Sequence, residues 1–240
     1  MKKFTVIVLA ALSVAYAGYV DAATPKKRPR SANRIGAYGG AHVGYSMYAA
    51  ENAAADEESL ENTLINTDAI TIENMRSSTQ DSDIGYQLTF GYRFHRYFAA
   101  ELGLAQFGEM VSQASADMDF DDGAGVVPVS VKLTYRAGGP IFSAIGILPL
   151  HEKFELFARL GYLFTSSERE FSARIDGDPA GSGGPKGDSQ DPVYGIGFSW
   201  HINQVYSIRG EYQQLDSLGQ ANRTGEEDIA VLGLGVVIRF

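Results

Sequence analysis

The chain has 240 residues, with 20 Lys and Arg against 29 Asp and Glu, and no cysteine. A net charge of -9 argues against a nucleic-acid partner, because neutralising phosphates needs a basic face. The lack of cysteine excludes disulfides, thiolate metal sites and a cysteine nucleophile. With 27 glycines and only 8 prolines, the chain is neither collagen-like nor a Pro-rich disordered segment.

The N-terminus reads as an address label. Lys2 and Lys3 precede an apolar run from Phe4 to Ala15, and small-residue cleavage sites follow, at Ala15-Tyr16-Ala17 and at Val20-Asp21-Ala22. This is the layout of a cleaved secretory signal peptide over residues 1–22. Residues 23–34 then form a basic tail, with Lys26, Lys27, Arg28, Arg30 and Arg34. Pro25 and Pro29 discourage an ordered element there, so the tail reads as solvated. The domain proper is expected over 35–240.

The longest apolar stretch after the signal is Ile229 to Ile238, well short of the roughly 18 residues of a spanning helix. Period-2 alternation recurs instead. One face of 84–94 carries Ile84, Tyr86, Leu88, Phe90, Tyr92 and Phe94; one face of 154–164 carries Phe154, Leu156, Ala158, Leu160, Tyr162 and Phe164. Tyr194, Ile196, Phe198, Trp200 and Ile202 repeat the pattern, as do Ala230, Leu232, Leu234, Val236, Ile238 and Phe240. Such segments fall at 35–48, 84–94, 97–107, 140–150, 154–165, 192–202, 205–215 and 229–240. Each has the length of a tilted membrane-crossing strand. Long polar connections at 49–83, 108–139, 166–191 and 216–228 alternate with tight turns near His95-Arg96, His151-Glu152-Lys153 and Asn203-Gln204. That asymmetry, with an even strand number, is the mark of an outer-membrane barrel.

Alternation alone also fits a soluble barrel with an apolar inside. The non-apolar face argues for the membrane: it holds mainly Gly, Ser, Thr and Gln, which suit a narrow interior, rather than the Lys and Glu of a wetted outside. Val111 to Phe120 and Val126 to Tyr135, around Asp121-Asp122-Gly123, are themselves strand-like. Ser112, Ser115, Asp117 and Asp119 are too polar for lipid and Pro128 interrupts the second arm, so these segments read as a hairpin outside the membrane. The fold expected is all-β: an eight-stranded antiparallel transmembrane β-barrel with an extracellular hairpin extension between strands 3 and 4. A short surface helix is expected across 53–65, in an acidic loop.

The order and spacing of these pieces resemble the transmembrane domain of OmpA-like outer-membrane β-barrels. The residues that carry the resemblance are Ala37-Tyr38-Gly39-Gly40-Ala41-His42-Val43-Gly44-Tyr45-Ser46, Ala100-Glu101-Leu102-Gly103, Leu148 to Gly161, Asp191-Pro192-Val193-Tyr194-Gly195, Ile208-Arg209-Gly210-Glu211-Tyr212 and Leu232 to Phe240. The resemblance implies a barrel in the outer membrane of a diderm bacterium, both termini in the periplasm, and a last strand that serves as assembly signal through Gly235, Ile238 and Phe240. Ile238 stands where an aromatic is usual. The partners implied are outer-membrane lipid and lipopolysaccharide, the barrel-assembly machinery and periplasmic chaperones. The peptidoglycan-binding activity of larger family members is not carried over.

Alternation places His42, Glu101, Arg159, Arg209 and Glu211 on the inward face, where charges should pair. The resemblance implies a lumen network able to act as a gate, with Glu101 and Arg209 at gate positions and Ile145 and Ser199 at two others that have lost charge. A static plug is favoured over a gate, since narrow barrels are filled by side chains. No metal spacing, phosphate loop or adjacent nucleophile and base appears, so neither enzyme activity nor a cofactor is expected. The reading is a structural and surface outer-membrane protein, with a small gated pore as the alternative; the long loops are available to a host or surface ligand.

Overall fold

The computed structural model describes residues 34–65, 71–119, 125–220, 222 and 224–240. The expected signal peptide, all of the basic tail except Arg34, and the Asp121-Asp122-Gly123 turn lie outside the described residues. The elements run β1 (Gly36–Tyr48), α1 (Ala50–Ile65), β2 (Thr71–Gln80), β3 (Ser82–His95), β4 (Phe98–Asp119), β5 (Val127–His151), β6 (Phe154–Ile175), β7 (Asp178–Gly183), β8 (Lys186–His201), β9 (Tyr206–Gln220) and β10 (Gly225–Arg239).

Eight of these strands close into an antiparallel ring, β1-β3-β4-β5-β6-β8-β9-β10, and β10 returns to pair with β1. The ring is staggered. Stepping between paired residues leads from Tyr38 to Gly91, Glu101, Ser143, Gly161, Val193, Leu215 and Ile229, and arrives back on β1 at Tyr48, ten residues on. A closed sheet with that offset must tilt its strands, typically by about 35–45°.

The outward face is the apolar one. Ile84, Phe90, Leu102, Leu104, Leu160, Ile196, Leu232 and Leu234 are all more than half exposed, as only a lipid contact can sustain. Aromatics gather toward both ends of this band: Tyr92, Phe94, Phe98, Trp200 and Phe240 at the end with short turns, and Tyr45, Tyr162, Tyr194 and Tyr212 at the other. This is the girdle arrangement of a transmembrane barrel.

The short turns lie where the alternation places them, with His95 paired to Phe98 and His151 to Phe154. The long connections differ from expectation. The segments read as polar connections at 166–191 and 216–228 are for the most part continuations of strands, and the hairpin expected within 108–139 continues two of the membrane-crossing strands without a break. β5 alone has 25 residues, against the about 9–11 that cross a membrane. The reason sequence alternation breaks at 107 is a bulge. One extra residue in β4 between Gln106 and Glu109 shifts the register against β5, with Gly108 at φ 82°. The inward set then changes from Glu101, Ala105 and Phe107 to Met110, Ser112, Ala114, Ala116 and Met118. A bulge of this kind preserves the sheet but reverses the parity of its side chains. The expected hairpin is thus the outer part of β4 and β5, paired up to Met118 and Val127.

Two further strands widen this outer sheet. β2 pairs with β4, and β7 with the end of β6. The β6–β7 link is a two-residue turn with Asp176 at φ 52° and Gly177 at φ 82°, both left-handed as a type I′ hairpin requires. The helix expected at 53–65 extends over Ala50–Ile65; its Ala, Glu and Leu content favours a helix. Asp56, Leu60 and Leu64, four residues apart, form its buried stripe. The two leucines pack on Ala114, Ala116, Met118, Val129 and Val131, and burying them contributes about 1.5–3 kcal/mol each. The long-connection end is therefore a folded head with its own core.

Candidate functional site: the barrel lumen

The inward side chains form layers. The middle layer is ionic. Arg159 on β6 donates from Nη2 to Glu101 Oε2 at 2.7 Å and to Glu211 Oε2 at 3.1 Å, from Nε to Glu211 Oε1, and from Nη1 to Ser143 Oγ at 3.1 Å. Glu101 on β4 accepts from Arg209 Nη1 and, at 2.7 Å, from the Tyr38 hydroxyl. The order is Arg209–Glu101–Arg159–Glu211, two cations against two carboxylates, all at most 6% exposed. Local backbone makes room for it. A Cβ on Gly91 would lie 2.4 Å from the Tyr38 ring, and one on Gly195 2.8 Å from Glu211 Oε1. Arg209 also sits 4.7 Å from the Phe157 ring centroid, where the ring face attracts the cation.

Of the five charged candidates in the lumen, the structure brings four together. His42 is buried on the same inward face, but neither ring nitrogen has a hydrogen-bond partner. Its ring lies against Gly235, where a Cβ would meet His42 Cδ2 at 2.2 Å. With Gln87, Gln106, Gln213, Phe107 and Val231 it lines a small chamber above the ions, in which Gln213 Nε2 donates to Gln87 Oε1 at 2.9 Å. Ile145 is buried among Tyr38, Phe157 and Val237, and Ser199 faces the lumen beside Arg209. Ile145 and Ser199, the two uncharged residues expected at gate positions, thus line the lumen apart from the ion pairs.

Above the chamber the lumen turns apolar. Tyr48, Phe107, Met110, Tyr135, Leu163, Val193, Leu215, Leu218 and Ile229, each at most 4% exposed, come from seven strands and pack into one cluster. Tyr48 and Tyr135 meet edge to face, with centroids 6.2 Å apart at 87°. Their hydroxyls are satisfied by Gly108 O at 3.3 Å and Leu218 O at 2.9 Å, as buried phenols require. Met110, Tyr135 and Leu218 fall in segments that the sequence assigns to the long connections, while the others read as ordinary inward positions; only the register shows that they meet.

Sequence reasoning also missed the polar contacts at the two ends of the barrel. At the short-turn end, Arg93 Nη1 donates to both oxygens of Glu155, at 3.1 and 2.9 Å. His201 Nδ1 lies 2.6 Å from Ser207 Oγ and its Nε2 3.1 Å from Glu155 Oε2. At the head, Arg169 Nη2 donates to Asp56 at 2.7 and 2.8 Å and to Glu227 at 3.2 Å. Burial raises the Asp56 carboxyl from its usual range and outweighs the opposing pull of Arg169. On the outer surface of the head, Arg136 bridges Glu109 and Glu170 at 2.6 and 3.3 Å, and Lys186 meets Glu168 at 2.8 Å. The hydrogen bond to Glu109 raises the Arg136 guanidinium. Such exposed pairs contribute little to stability.

The last strand carries the expected assembly residues. Gly235 faces inward against His42, Ile238 pairs with Gly39, and the exposed Phe240 donates its amide to Ala37 O at 3.1 Å.

The chain is similar to curated outer-membrane proteins. It is 25% identical to outer membrane protein A of Escherichia fergusonii over 231 residues, covering 96% of this chain and 54% of that protein. It is 25% identical to outer membrane protein A of Klebsiella pneumoniae over 172 residues, covering 70% and 44%. The chain thus spans about half the length of the curated relatives it matches. Among solved structures it is similar to OprG from Pseudomonas aeruginosa, with 14% identity, coverage of 88% and 99% and a TM-score of 0.42. Neisserial surface protein A matches with 12% identity, coverage of 85% and 97% and a TM-score of 0.41. Ail of Yersinia pestis, solved with the heparin analogue sucrose octasulfate, matches with 13% identity, coverage of 86% and 100% and a TM-score of 0.37. The OmpA-like transmembrane domain model matches residues 32–240, and with its closed ring of strands and apolar outer band this chain belongs to the OmpA-like family of outer-membrane β-barrels.

Proposed function

We propose that the protein is a structural and surface barrel of the outer membrane, closed to solutes, that displays a folded head outside the cell. The carrying observation is two closures in series. The ion cluster around Arg159 fills the middle of the lumen, and the apolar cluster around Tyr48 and Tyr135 fills its outer end. A gated pore opened by rearranging ion pairs would still meet the apolar layer, which resists wetting. The non-enzymatic reading is supported by space: beside the Ser207–His201–Glu155 row the lumen leaves a volume of about 20 Å³, room for a water-sized group only.

In this reading a signal peptide over 1–22 directs export, and periplasmic chaperones and the barrel-assembly machinery receive the last strand through Gly235, Ile238 and Phe240. The charged outer surface near Arg136 and Lys186 lies beyond the upper aromatic girdle, where lipopolysaccharide headgroups would lie. The head, rather than flexible loops, is then what a host or surface ligand would meet. Because the chain has no cysteine, single replacements test the orientation. A thiol-specific, membrane-impermeant label should react on intact cells with Ser182→Cys in β7 and only after permeabilisation with Glu152→Cys. The reverse pattern would overturn the proposed topology.

A further inference from the structure

The short-turn mouth of the lumen concentrates positive charge. Arg93 is 3% exposed and Arg239 is partly buried beside it; Arg34, just before β1, is also partly buried. Arg239 feels the charges of Arg34 and Arg93, both of its own sign, and of Glu155. Glu155 is the carboxylate within this mouth, and it is already engaged: both its oxygens accept from Arg93, and Oε2 also lies 3.1 Å from His201 Nε2. Glu152, on the rim, acts on Arg34 from outside. Among the described residues neither Arg34 nor Arg239 has an ion-pair partner within 4.0 Å. Arg34 spends one nitrogen on the carbonyl of Glu152.

Two buried donors remain without a hydrogen-bond partner here among the described residues: Arg34 Nη1 and Arg239 Nε. Arg239 lines the same cavity as Arg93, and the Arg34 side chain reaches the neighbouring turn at Glu152. A guanidinium cannot shed its proton to relieve crowding. An unpaired buried donor costs about 1–3 kcal/mol. Both deficits are met by one thing, an oxyanion entering from the mouth. The enclosed part of the cavity, about 20 Å³, admits a water-sized group, for which roughly 10–15 Å³ suffices. An oxygen of a larger anion can enter while the rest stays at the opening.

We propose that Arg34 and Arg239 form an oxyanion-binding site at the short-turn mouth of the barrel, for a phosphate or carboxylate group. Arg93 sets the local field and is held in place by Glu155. The site does not depend on whether the lumen conducts.

The test uses the folded full chain in zwitterionic detergent, titrated with inorganic phosphate or with acetate at constant ionic strength. The expected result is a saturable rise in the thermal midpoint, and saturable heat by calorimetry, for at least one of the two. Arg239→Gln and Arg34→Gln should each weaken that affinity at least tenfold, whereas Arg136→Gln in the head should leave it unchanged. Arg34 precedes the first strand, so its variant keeps the test valid if the Arg239 variant folds poorly. A second arm compares zwitterionic vesicles with vesicles containing anionic phospholipid. Competition by anionic lipid assigns the site to a headgroup phosphate, and free phosphate or acetate binding equally in both assigns it to a soluble anion. No saturable effect in any arm, or equal binding by the two mouth variants, would overturn the proposal.

Discussion

Arg169 of β6 ties Asp56 of α1 to Glu227 of β10 through a single guanidinium nitrogen, at 2.7 Å and 3.2 Å. That contact joins the first half of the helix to the wall of the barrel, while Leu60 and Leu64, further along the same face, join it to the outer sheet. The head is therefore one packed unit. Leu64→Ala should destabilise the docked helix by about 2–5 kcal/mol, the usual cost of emptying a buried leucine site. Amide exchange along α1 should accelerate while the amides of the membrane-spanning strands keep their protection. Unchanged exchange in α1 would show that the helix does not rest on this core.

The pH response of the same helix has a defined sign. Burial places the folded-state pKa of Asp56 above its unfolded value of 3.8. In the window between these two values the folded state binds more proton than the unfolded one, so stability falls as pH rises through it. Below the window this residue's relative stabilisation is fully present; above it, it is lost. Helix docking, followed by exchange protection corrected for intrinsic rates, should weaken as pH climbs from 3.8 through the raised pKa. The Asp56→Asn variant should lack that component. A helix that docks more tightly with rising pH across the same window would contradict the assignment of burial as the dominant cause.

In the lumen, Glu101 stands between two arginines, whereas Arg209 has Glu101 as its ion-pair partner. Glu101→Ala should cost about 3–5 kcal/mol by leaving Arg209 buried and unpaired, while Arg159 keeps Glu211. Replacing both Glu101 and Arg209 by alanine should recover part of the loss, because the orphaned charge is gone. Reversible urea unfolding in lipid vesicles would measure it. Strictly additive single effects would mean that the pair is not coupled.

At the last strand, a side chain on Gly235 would meet His42 Cδ2 at 2.2 Å and the Ala41 carbonyl oxygen at 2.5 Å. Gly235→Val should therefore lower the folded fraction, and shortening His42 to alanine should not restore it, since the backbone contact remains. Deleting Phe240 should reduce inserted barrel in cells while leaving the refolded protein's stability nearly intact. Full rescue by His42→Ala, or normal insertion without Phe240, would remove the respective argument.

The membrane band was legible because its signal is local. Alternation in segments such as Ile84 to Phe94 needs no partner to be read, and the tight turns at His95 and His151 follow from it. The head was less legible because its cues depend on register. The bulge at Gly108 reverses which residues of β4 point inward, so a continuous strand reads as one that stops at Phe107. Asp176-Gly177 is a hairpin dipeptide that could have revealed β7, but it is masked by the glycines around it. Asp56 reads as one acid among many, and only the i, i+4, i+8 spacing with Leu60 and Leu64 hints at its burial. In the lumen, inward placement of Glu101, Arg159, Arg209 and Glu211 follows from parity. Which of them touch, and that His42 does not, depends on the ten-residue stagger of the ring, which no single strand encodes.

The central claim is that the lumen is closed twice, by ions and then by an apolar layer. Single-channel recording in planar bilayers tests it most directly, with four proteins: the parent, the Glu101→Ala/Arg209→Ala variant, a Phe107→Ala/Tyr135→Ala variant, and the combination of all four replacements. The account predicts baseline current for the first three and discrete conducting steps for the fourth, provided each protein is shown to be folded by its shift in electrophoretic mobility on heating. Sustained conductance from the parent, or from the Glu101→Ala/Arg209→Ala variant with the apolar layer intact, would contradict it.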